Sequence, residues 1–227
     1  DKSNIINNYN KNKNDFIVYE SKYFIKLNLK KIIYFTVEEI KLFIYWLLSN
    51  YFQKKVVNKS YKYWNEFKGY ISYSNTGSVF YIDSYLCNIQ RNLNLLIITH
   101  SNLLVKGEKR SIKDSIGWYN SKFFVKEINY ININYNKYNF LVSSKLYNDG
   151  LYIRRWKKAD KIFSKYYNKY ILISNLFINK KLSNIEKMFY PVVVNKFDEV
   201  IWVPGIATGG LIDQKDSFYR KITCEIN

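Results

Sequence analysis

The sequence predicts an α+β protein, in which a small helical segment is followed by a mixed or antiparallel β region and by a C-terminal α+β domain. Two observations lead to this prediction. A capped amphipathic helix is recognisable over residues 37–54, and the apolar pattern changes to short strand-like runs after residue 78. Hydrophobic residues make up 48% of the 227 residues, so the chain can bury a core.

The helix predicted over residues 37–54 begins with a capping box. Thr36 stands three residues before Glu39, so each side chain can satisfy an exposed backbone N–H of the first turn. Apolar side chains then recur at spacings of three and four, which gives the helix one apolar face. They are Val37, Ile40, Phe43, Ile44, Leu47, Leu48 and Tyr51. A second short helix is expected over residues 60–68.

Short strands separated by turns are predicted for most of the remaining chain. Residues 105–117 are charged and are expected to form a loop. A helix is expected within about 169–180. The expected strands cover residues 78–83, 93–99, 123–125, 128–133, 140–142, 151–155, 191–194 and 199–203.

Composition and turn signals divide the chain into three regions. Residues 1–15 are polar, rich in Asn and Lys and without a period, so we expect a disordered lead-in. Residues 16–146 are expected to form a middle region of helices and strands. Asn148-Asp149-Gly150 is a strong turn signal, and we place a C-terminal domain at residues 147–227.

The charge of the chain indicates a polyanionic partner. Lys and Arg number 36 and Asp and Glu 18, which gives a net charge of +18. Such an excess attracts nucleic acid, because neutralising phosphates releases counterions. Two alternatives are an anionic membrane surface and a solvated Lys-rich surface that follows from AT-rich codon usage.

The sequence does not indicate metal or disulfide chemistry. Cys87 and Cys224 form no Cys-x-x-Cys pair and are expected to be free thiols. His100 is the one histidine, whereas a structural zinc site needs four closely spaced ligands. No apolar run reaches the ~18–20 residues that span a bilayer. The chain begins at Asp1, so we expect a segment of a longer or processed polypeptide, with any targeting signal upstream.

Three segments between residues 151 and 213 carry the most specific pattern. The first, IRRWKKADKI at residues 153–162, has basic residues on both sides of a turn. The second is ISNLFINKKL at residues 173–182. The third joins YPVVV at residues 190–194 to EVIWVPGI at residues 199–206, and its Ile-Trp-Val-Pro-Gly run is the most specific.

In order and spacing these segments resemble the C-terminal domain of the tRNA(Ile)-lysidine synthetase family. The first matches without gaps the family's pattern of apolar–Arg–x–basic–basic–x–Gly–Asp–Arg–apolar. The second is similar to the family's helix and its exit, and the third to its terminal hairpin. The two helices and the strand pair at residues 37–99 are more loosely similar to the family's middle, substrate-specificity region.

The resemblance implies a tRNA-modifying ligase. The whole enzyme uses ATP with Mg²⁺ to adenylate the wobble cytidine in the CAU anticodon of an isoleucine tRNA, and the amine of lysine then displaces AMP to form lysidine. The middle and C-terminal domains grip the tRNA, so they contribute binding and orientation. By this resemblance the segment itself holds no cofactor, and a homodimer is allowed.

The phosphate-binding loop of the family's catalytic domain is not found in this sequence. That loop, Ser-Gly-Gly-x-Asp-Ser, holds the ATP phosphates with backbone N–H groups. The nearest run, Thr208-Gly209-Gly210, follows a predicted strand and precedes no helix, so we interpret it as a turn. We expect the adenylation chemistry to reside upstream or in another chain, and this segment by itself to be inactive.

The resemblance and the charge assign RNA contacts to eight basic residues. Lys157, Lys158 and Lys161, at the predicted turn, are the best phosphate contacts. The alternative is an ordinary solvated turn, or, after the helix, cations that favour the helix dipole. The eight residues are Arg154, Arg155, Lys157, Lys158, Lys161, Lys180, Lys181 and Lys187. A weaker second basic loop contains Lys106, Lys109 and Arg110.

Other residues of the three segments are assigned to the fold. Asp160 is expected to accept backbone N–H bonds and to hold its turn. Trp202, Pro204 and Gly205 are expected to define the terminal hairpin. Trp156 is interpreted as a packing anchor, with base stacking as the alternative.

The chain departs from the family at four positions. Trp156 stands where a basic residue is usual, Ala159 replaces Gly, and Asn179 replaces an acid. Lys161 replaces Arg, which keeps the charge but loses bidentate phosphate geometry.

Three functions stay open at this point. They are the tRNA-binding part of the ligase, a stand-alone RNA-binding module without activity, and a structural or membrane-surface protein. The AT-rich bias and the bacterial type of enzyme suggest a bacterial cytoplasm, or the matrix or stroma of a plastid-like organelle.

Overall fold

The computed structural model describes residues 2–53, 58–100, 103, 108–128, 136–164, 167–209 and 219–226. The fold is α+β, as the sequence predicts, and the strand pairs within these residues are antiparallel. The chain divides into two compact units. Unit 1 comprises Asp1–Leu104 with Ser183–Ile185, and unit 2 comprises Val105–Leu182 with Glu186–Asn227.

The boundary between the units falls at residues 104–105, whereas the sequence predicted 146–147. The physical reason is strand pairing across the expected boundary. The strand Tyr152–Arg155 is hydrogen-bonded to the strand Lys109–Ser111, so both belong to one sheet. The predicted turn at Gly150, which has φ +106°, therefore lies within unit 2.

Unit 1 combines helices with an antiparallel sheet of strand order β1-β2-β5-β4-β3. Its elements are α1 (Lys2–Lys11), α2 (Lys13–Phe16), β1 (Ile17–Glu20), β2 (Phe24–Asn28), α3 (Leu29–Ile32), α4 (Val37–Phe52), α5 (Tyr61–Tyr73), β3 (Val79–Ile82), β4 (Tyr85–Gln90) and β5 (Leu95–His100).

The N-terminal segment forms helices α1 and α2 where the sequence predicted a disordered lead-in. Tyr9 is 3% exposed, and its ring centroid lies 5.2 Å from that of Phe43 and 5.7 Å from that of Trp46. Phe16 is buried in the same cluster. Two aromatic anchors thus fix a segment whose Asn- and Lys-rich composition shows no apolar period.

Helix α4 confirms the predicted capping box. The Thr36 hydroxyl accepts from the backbone N–H of Glu39 at 3.3 Å, and the Thr36 backbone N–H donates to the Glu39 carboxylate at 2.7 Å. The predicted second helix is α5, which buries Trp64 and Phe67. Burying each such side chain stabilises the unit by about 1.5–3 kcal/mol.

Strand β4 was not predicted, although it lies within the sheet of unit 1. All six of its residues are buried, including Asn88 and Gln90. Because both of its faces are covered, no alternation of polar and apolar residues marks it. Strands β1 and β2 were also missed, since residues 16–34 show no clear period.

Within its described residues, unit 2 contains three antiparallel sheets, with strand orders β15-β14-β13-β10-β6, β7-β8-β16-β9 and β11-β12. The elements from Lys109 onward are β6 (Lys109–Ser111), β7 (Ser115–Trp118), β8 (Ser121–Ile128), β9 (Asn139–Ser143), α6 (Ser144–Asn148), β10 (Tyr152–Arg155), β11 (Lys161–Ser164), β12 (Lys169–Leu172), α7 (Ile173–Asn179), α8 (Asn184–Phe189), β13 (Pro191–Val194), β14 (Val200–Val203), β15 (Ala207–Thr208) and β16 (Tyr219–Ile226).

Of the loop predicted at residues 105–117, residues 105–107 lie outside the described residues, and the remainder is corrected to the two short strands β6 and β7. Strand β6 lies at the edge of its sheet and its three residues are exposed. Edge strands commonly carry charged residues, which is why this segment resembles a loop in sequence. Of the strand expected at residues 128–133, Ile128 ends β8 and the others lie outside the described residues.

The valine strand β13 is buried on both faces. Val193 belongs to a core with Trp202 and Phe123, whereas Val192 and Val194 belong to a second core. That second core also contains Ile162, Ile173 and Phe177 from β11 and α7. A sheet covered on both sides requires continuous apolar strands, as the run of three valines indicated.

Both cysteines are free, as the sequence predicted, and both are buried. Burial raises the pKa of the Cys224 thiol to about 12. A thiol with such a pKa stays protonated near neutral pH and is a poor nucleophile. Among the described residues, no helix has the length and the apolar character needed to cross a bilayer.

Candidate nucleic-acid interface

The segment Trp156–Lys161, called the basic loop below, connects β10 to β11 in unit 2. The backbone N–H of Asp160 donates to the carbonyl of Lys157 at 3.0 Å, which closes a tight turn. Ala159 lies in this turn with φ +72°, the left-handed region in which Gly is the usual residue. The turn therefore has the backbone that glycine favours, although alanine occupies the position.

Arg154 lies in β10 and supports the basic loop through hydrogen bonds from the protein interior. It is 3% exposed, and its guanidinium binds the Asp160 carboxylate through Nη1 and Nη2 at 2.8 and 3.0 Å. Its other three N–H groups donate to Asp198 Oδ1, the Asp198 carbonyl and the Arg155 carbonyl. Since a guanidinium has five N–H donors, none is left for a phosphate.

This geometry removes Arg154 from the direct RNA contacts that the sequence suggested. Asp160 in turn accepts from the backbone N–H of Lys157 at 2.6 Å, and its own carbonyl accepts from the N–H of Ile173 at 2.9 Å. Arg154 and Asp160 together tie the loop to β10 and to the start of α7.

Asp198 completes the network, and sequence reasoning missed it. Its carboxylate accepts from Lys157 Nζ at 2.6 Å, from Arg154 Nε at 2.8 Å and from Lys109 Nζ at 3.3 Å. Burial opposes its ionisation, but the hydrogen bonds from Lys157 and Arg154 outweigh that effect and hold the pKa of Asp198 well below its usual range. The residue stands in a turn between β13 and β14, where only pairing in space reveals its role.

Arg155 points away from this network, as the alternation of side chains along a strand requires. Its Nη2 donates to the Tyr119 hydroxyl at 2.6 Å, and its guanidinium carbon lies 5.3 Å from the centroid of that ring. The Tyr119 hydroxyl donates to Glu108 at 3.0 Å. Strand β10 ends at Arg155, so the alternation does not continue to Lys157 and Lys158.

Lys158 and Lys161 are exposed cations of the basic loop. In the part of the chain that the structure describes, no ion pair joins either of them to a carboxylate. The Lys161 ammonium lies 4.7 Å from the centroid of the Tyr170 ring in β12. Lys157 is also exposed, but its ammonium is paired with Asp198.

Trp156 packs inside unit 2. Its ring stands edge-on to Phe177 of α7, with centroids 5.5 Å apart, and it contacts the core that contains Val192 and Val194. The packing interpretation therefore fits its position better than a stacking platform for a base.

The segment Phe177–Leu182, called the helix exit below, carries Lys180 and Lys181. Lys181 has φ +55°, its N–H donates to the carbonyl of Ile178 at 2.8 Å, and the N–H of Leu182 donates to the carbonyl of Phe177 at 3.0 Å. This is a Schellman motif, which closes a helix C-terminus. Both lysines are exposed, at a helix end whose dipole favours cations without RNA.

Lys187 lies in α8, outside both the basic loop and the helix exit, and is partly buried. In the second basic loop, Lys106 lies outside the described residues. Lys109 joins the basic loop through Asp198. Arg110 pairs with Glu108 and donates to the carbonyl of Gly117 at 2.5 Å.

The residues assigned to the terminal hairpin occupy fold-defining positions. Trp202 is fully buried, stacks on Phe140 with centroids 5.4 Å apart, and donates from Nε1 to the carbonyl of Lys137 at 3.3 Å. Pro204 is buried. Gly205 has φ +70° and donates its N–H to the same Lys137 carbonyl at 2.8 Å. A side chain would be strained at Gly205.

The glycine after β15 also serves the fold. Gly209 donates its N–H to the carbonyl of Ile201 at 2.8 Å, and a Cβ at Gly209 would lie 2.9 Å from that oxygen. Its N–H is thus used within the protein and does not form part of a phosphate cradle. Gly210 lies outside the described residues.

Comparisons with known proteins find a likeness in structure. The crystal structure of the TILS C-terminal domain matches this chain with a TM-score of 0.49 and 16% sequence identity, over 53% of this chain and 98% of the TILS chain. No protein-family model matches the sequence, and no curated protein matches it.

Proposed function

We propose that this chain is the tRNA-binding part of a tRNA(Ile)-lysidine synthetase. The sequence resemblance over residues 151–213 and the net charge of +18 support this function. In this proposal the ATP-binding domain resides elsewhere in the same enzyme, and it supplies the adenylation with ATP, Mg²⁺ and lysine. The present segment binds and orients an isoleucine tRNA with a CAU anticodon.

The observation that carries the proposal is the construction of the basic loop. The buried Arg154 and the carboxylates of Asp160 and Asp198 fix the backbone of the loop, while Lys158 and Lys161 stay exposed. Lysines on a fixed turn can contact phosphates at a low entropic cost, because the backbone does not have to be ordered on binding. A merely solvated turn would not need a buried, fully bonded arginine behind it.

The test measures binding of the full chain to a tRNA(Ile) transcript with a CAU anticodon, by filter binding in rising salt. Replacing Lys158 and Lys161 together by Gln should weaken binding and make the slope of log K against log salt shallower by about two, because two phosphates are no longer neutralised. The matched control replaces Lys30 and Lys31, two adjacent exposed lysines of α3 in unit 1, by Gln. This control should retain most of the salt slope.

The same assay separates the alternative functions. Equal affinity for the tRNA and for an arbitrary RNA duplex would contradict tRNA recognition and would favour a general RNA-binding module. Failure to bind RNA at all would favour a structural or membrane-surface role. The ligase part of the proposal requires a Ser-Gly-Gly-x-Asp-Ser loop in the complete coding sequence or in a partner chain, and incorporation of labelled lysine into the tRNA by the complete enzyme.

A double replacement of Lys180 and Lys181 by Gln addresses the remaining cations. A change in salt slope as large as that of the Lys158 and Lys161 pair would place the helix exit in the interface. An unchanged slope would leave those lysines a role at the helix end.

A further inference from the structure

Beside the basic loop, unit 2 contains an open cleft of about 700 Å³ between the β11-β12 hairpin and the strand β14. The lining includes Lys161, Phe163 and Tyr170 from the hairpin, together with Glu199, Ile201 and Gly209. Its volume is within the range of pockets that hold small organic ligands.

An aromatic wall forms part of the lining of the cleft. Phe163 pairs with Tyr170 across the β11-β12 ladder, so both rings lie on the same face of the hairpin. Their centroids are 5.3 Å apart in an edge-to-face arrangement. Tyr170 is 58% exposed, although an aromatic ring gains stability by burial. The exposed ring offers a surface on which a planar group can stack.

A cation accompanies this ring. The Lys161 ammonium, 4.7 Å from the centroid of Tyr170, is on a flexible stem and belongs to the loop proposed to contact phosphates. One nucleotide could therefore place its base on the Tyr170 ring and its phosphate on Lys161. Stacking on aromatic side chains, with backbone contacts from cations, is how proteins commonly hold unpaired bases.

The lining of the cleft also carries a positioned hydrogen-bond acceptor, Glu199. The Asn195 amide donates to Glu199 Oε2 at 2.8 Å, and the Glu199 backbone N–H donates to Asn195 Oδ1 at 3.0 Å. Asn195 is 5% exposed, so it is a rigid support. Asp198 is engaged by three cations, whereas Glu199 is exposed and forms no ion pair within the described residues.

We propose that this cleft binds an unpaired guanine of the RNA, stacked on Tyr170 with its Watson–Crick edge directed at Glu199. A carboxylate only accepts hydrogen bonds. Guanine presents two adjacent N–H donors on that edge, N1–H and the N2 amine, which two carboxylate oxygens can accept together. Adenine offers one donor group there, next to an acceptor. The inference rests on the proposed RNA binding and specifies which base the interface selects.

The test uses the full chain and three fluorescently labelled single-stranded RNAs, UUGUU, UUAUU and UUCUU, measured by anisotropy. The wild type should prefer UUGUU over UUAUU by about tenfold, which corresponds to one good two-bond base contact. Replacing Tyr170 by Ala should lower the affinity for UUGUU by about tenfold, the usual effect of removing one stacking ring.

Two further variants separate the cleft from the general charge. Glu199→Gln keeps the size of the side chain but adds donors, so it should abolish the preference for guanine while leaving the affinity for UUAUU within twofold. Tyr167→Ala removes an exposed tyrosine of the same hairpin that does not line the cleft, and it should bind like the wild type. Unchanged melting temperatures will show that the variants are folded.

The outcomes distinguish this inference from the proposed function. If the chain binds tRNA with a salt slope that depends on Lys158 and Lys161, but binds the three oligonucleotides equally or not at all, the cleft proposal is overturned and the tRNA proposal stands. If Tyr170→Ala and Tyr167→Ala behave alike, the cleft proposal is overturned as well. If neither the tRNA nor the oligonucleotides bind, both proposals fail.

Discussion

The basic loop and the helix exit carry the same signal in the sequence, adjacent lysines beside a turn, but the structure holds their charges differently. In the basic loop, Lys157 is paired with Asp198, and Arg154 of the adjacent β10 is paired with Asp160 and Asp198. The helix exit, residues 177–182, contains no acid in its sequence and closes through backbone hydrogen bonds. A count of cations therefore does not tell which of them can bind a phosphate.

The two turns differ in the free-energy cost of holding their cations. A buried guanidinium must be compensated by partners, and removing one partner of a buried pair leaves an unsatisfied charge. An exposed cation at a helix end is favoured by the helix dipole, and its contribution to stability is small. We therefore expect the same kind of substitution to change the free energy of unfolding by different amounts at the two turns.

The largest expected effect is at Arg154. Arg154→Met should lower the free energy of unfolding by about 3–5 kcal/mol, because it leaves Asp160 largely buried without its bidentate partner. Urea denaturation followed by tryptophan fluorescence measures the change. Lys180→Met, at the helix exit, should change the same free energy by less than about 0.5 kcal/mol. Equal decreases for the two variants would show that the loop network does not stabilise unit 2.

A smaller effect is expected from pH. The folded-state pKa of Asp198 is lowered, so its contribution is present above the usual carboxyl pKa of 3.8 and is lost as the pH falls through the folded-state pKa. Acidification below about pH 4 should destabilise the wild type more steeply than Asp198→Asn. Melting temperatures measured from about pH 7 down to about pH 2.5 test this.

The helix exit provides the control for that titration. Lys181→Gly changes the backbone preference of the exit and leaves Asp198 with its partners, so its stability should fall with acid as steeply as that of the wild type. An identical acid profile for Asp198→Asn and the wild type would exclude Asp198 as a source of the pH dependence.

The smallest expected effect is a gain, and it is common to both turns. Ala159 and Lys181 have φ +72° and +55°, and a left-handed conformation costs an L-residue about 1–2 kcal/mol. Glycine relieves this cost in the folded protein, but its larger conformational entropy in the unfolded chain offsets part of the relief. Ala159→Gly and Lys181→Gly should therefore each stabilise the protein by about 0.5–1 kcal/mol.

The matched control for these glycines is Asn175→Gly, at an exposed position inside α7. There the backbone is helical, so glycine should destabilise by about 0.5–1 kcal/mol. If all three substitutions destabilise the protein, the left-handed geometry of the two turns is wrong.

The elements that the sequence predicted well are those with a strong local signal. Thr36 and Glu39 lie three residues apart in one turn, so a capping box can be predicted from neighbours. The valines of β13 form a continuous apolar run. In contrast, β4 has polar residues at buried positions and β6 is a short charged edge, so neither has the period of a strand.

The same distinction between local and long-range signals applies to the candidate site. The basic cluster at residues 154–161 was visible because its members are adjacent in the sequence. Asp198 was missed, since it reaches Arg154 only after β13 and β14 bring its turn back beside β10. The wall formed by Phe163 and Tyr170 was missed for a similar reason, because it exists only once β11 and β12 pair.

By itself, the sequence determined the α+β class, the capped helix α4, the buried hairpin around Trp202 and the basic character of the loop. These depend on local periodicity, composition and turn chemistry. The tertiary structure decided which cations are available, because ion pairs form between residues that are distant in the chain. It also decided where the units divide, because the pairing of β6 with β10 joins segments that are about 40 residues apart in the chain. No local sequence pattern records such a contact.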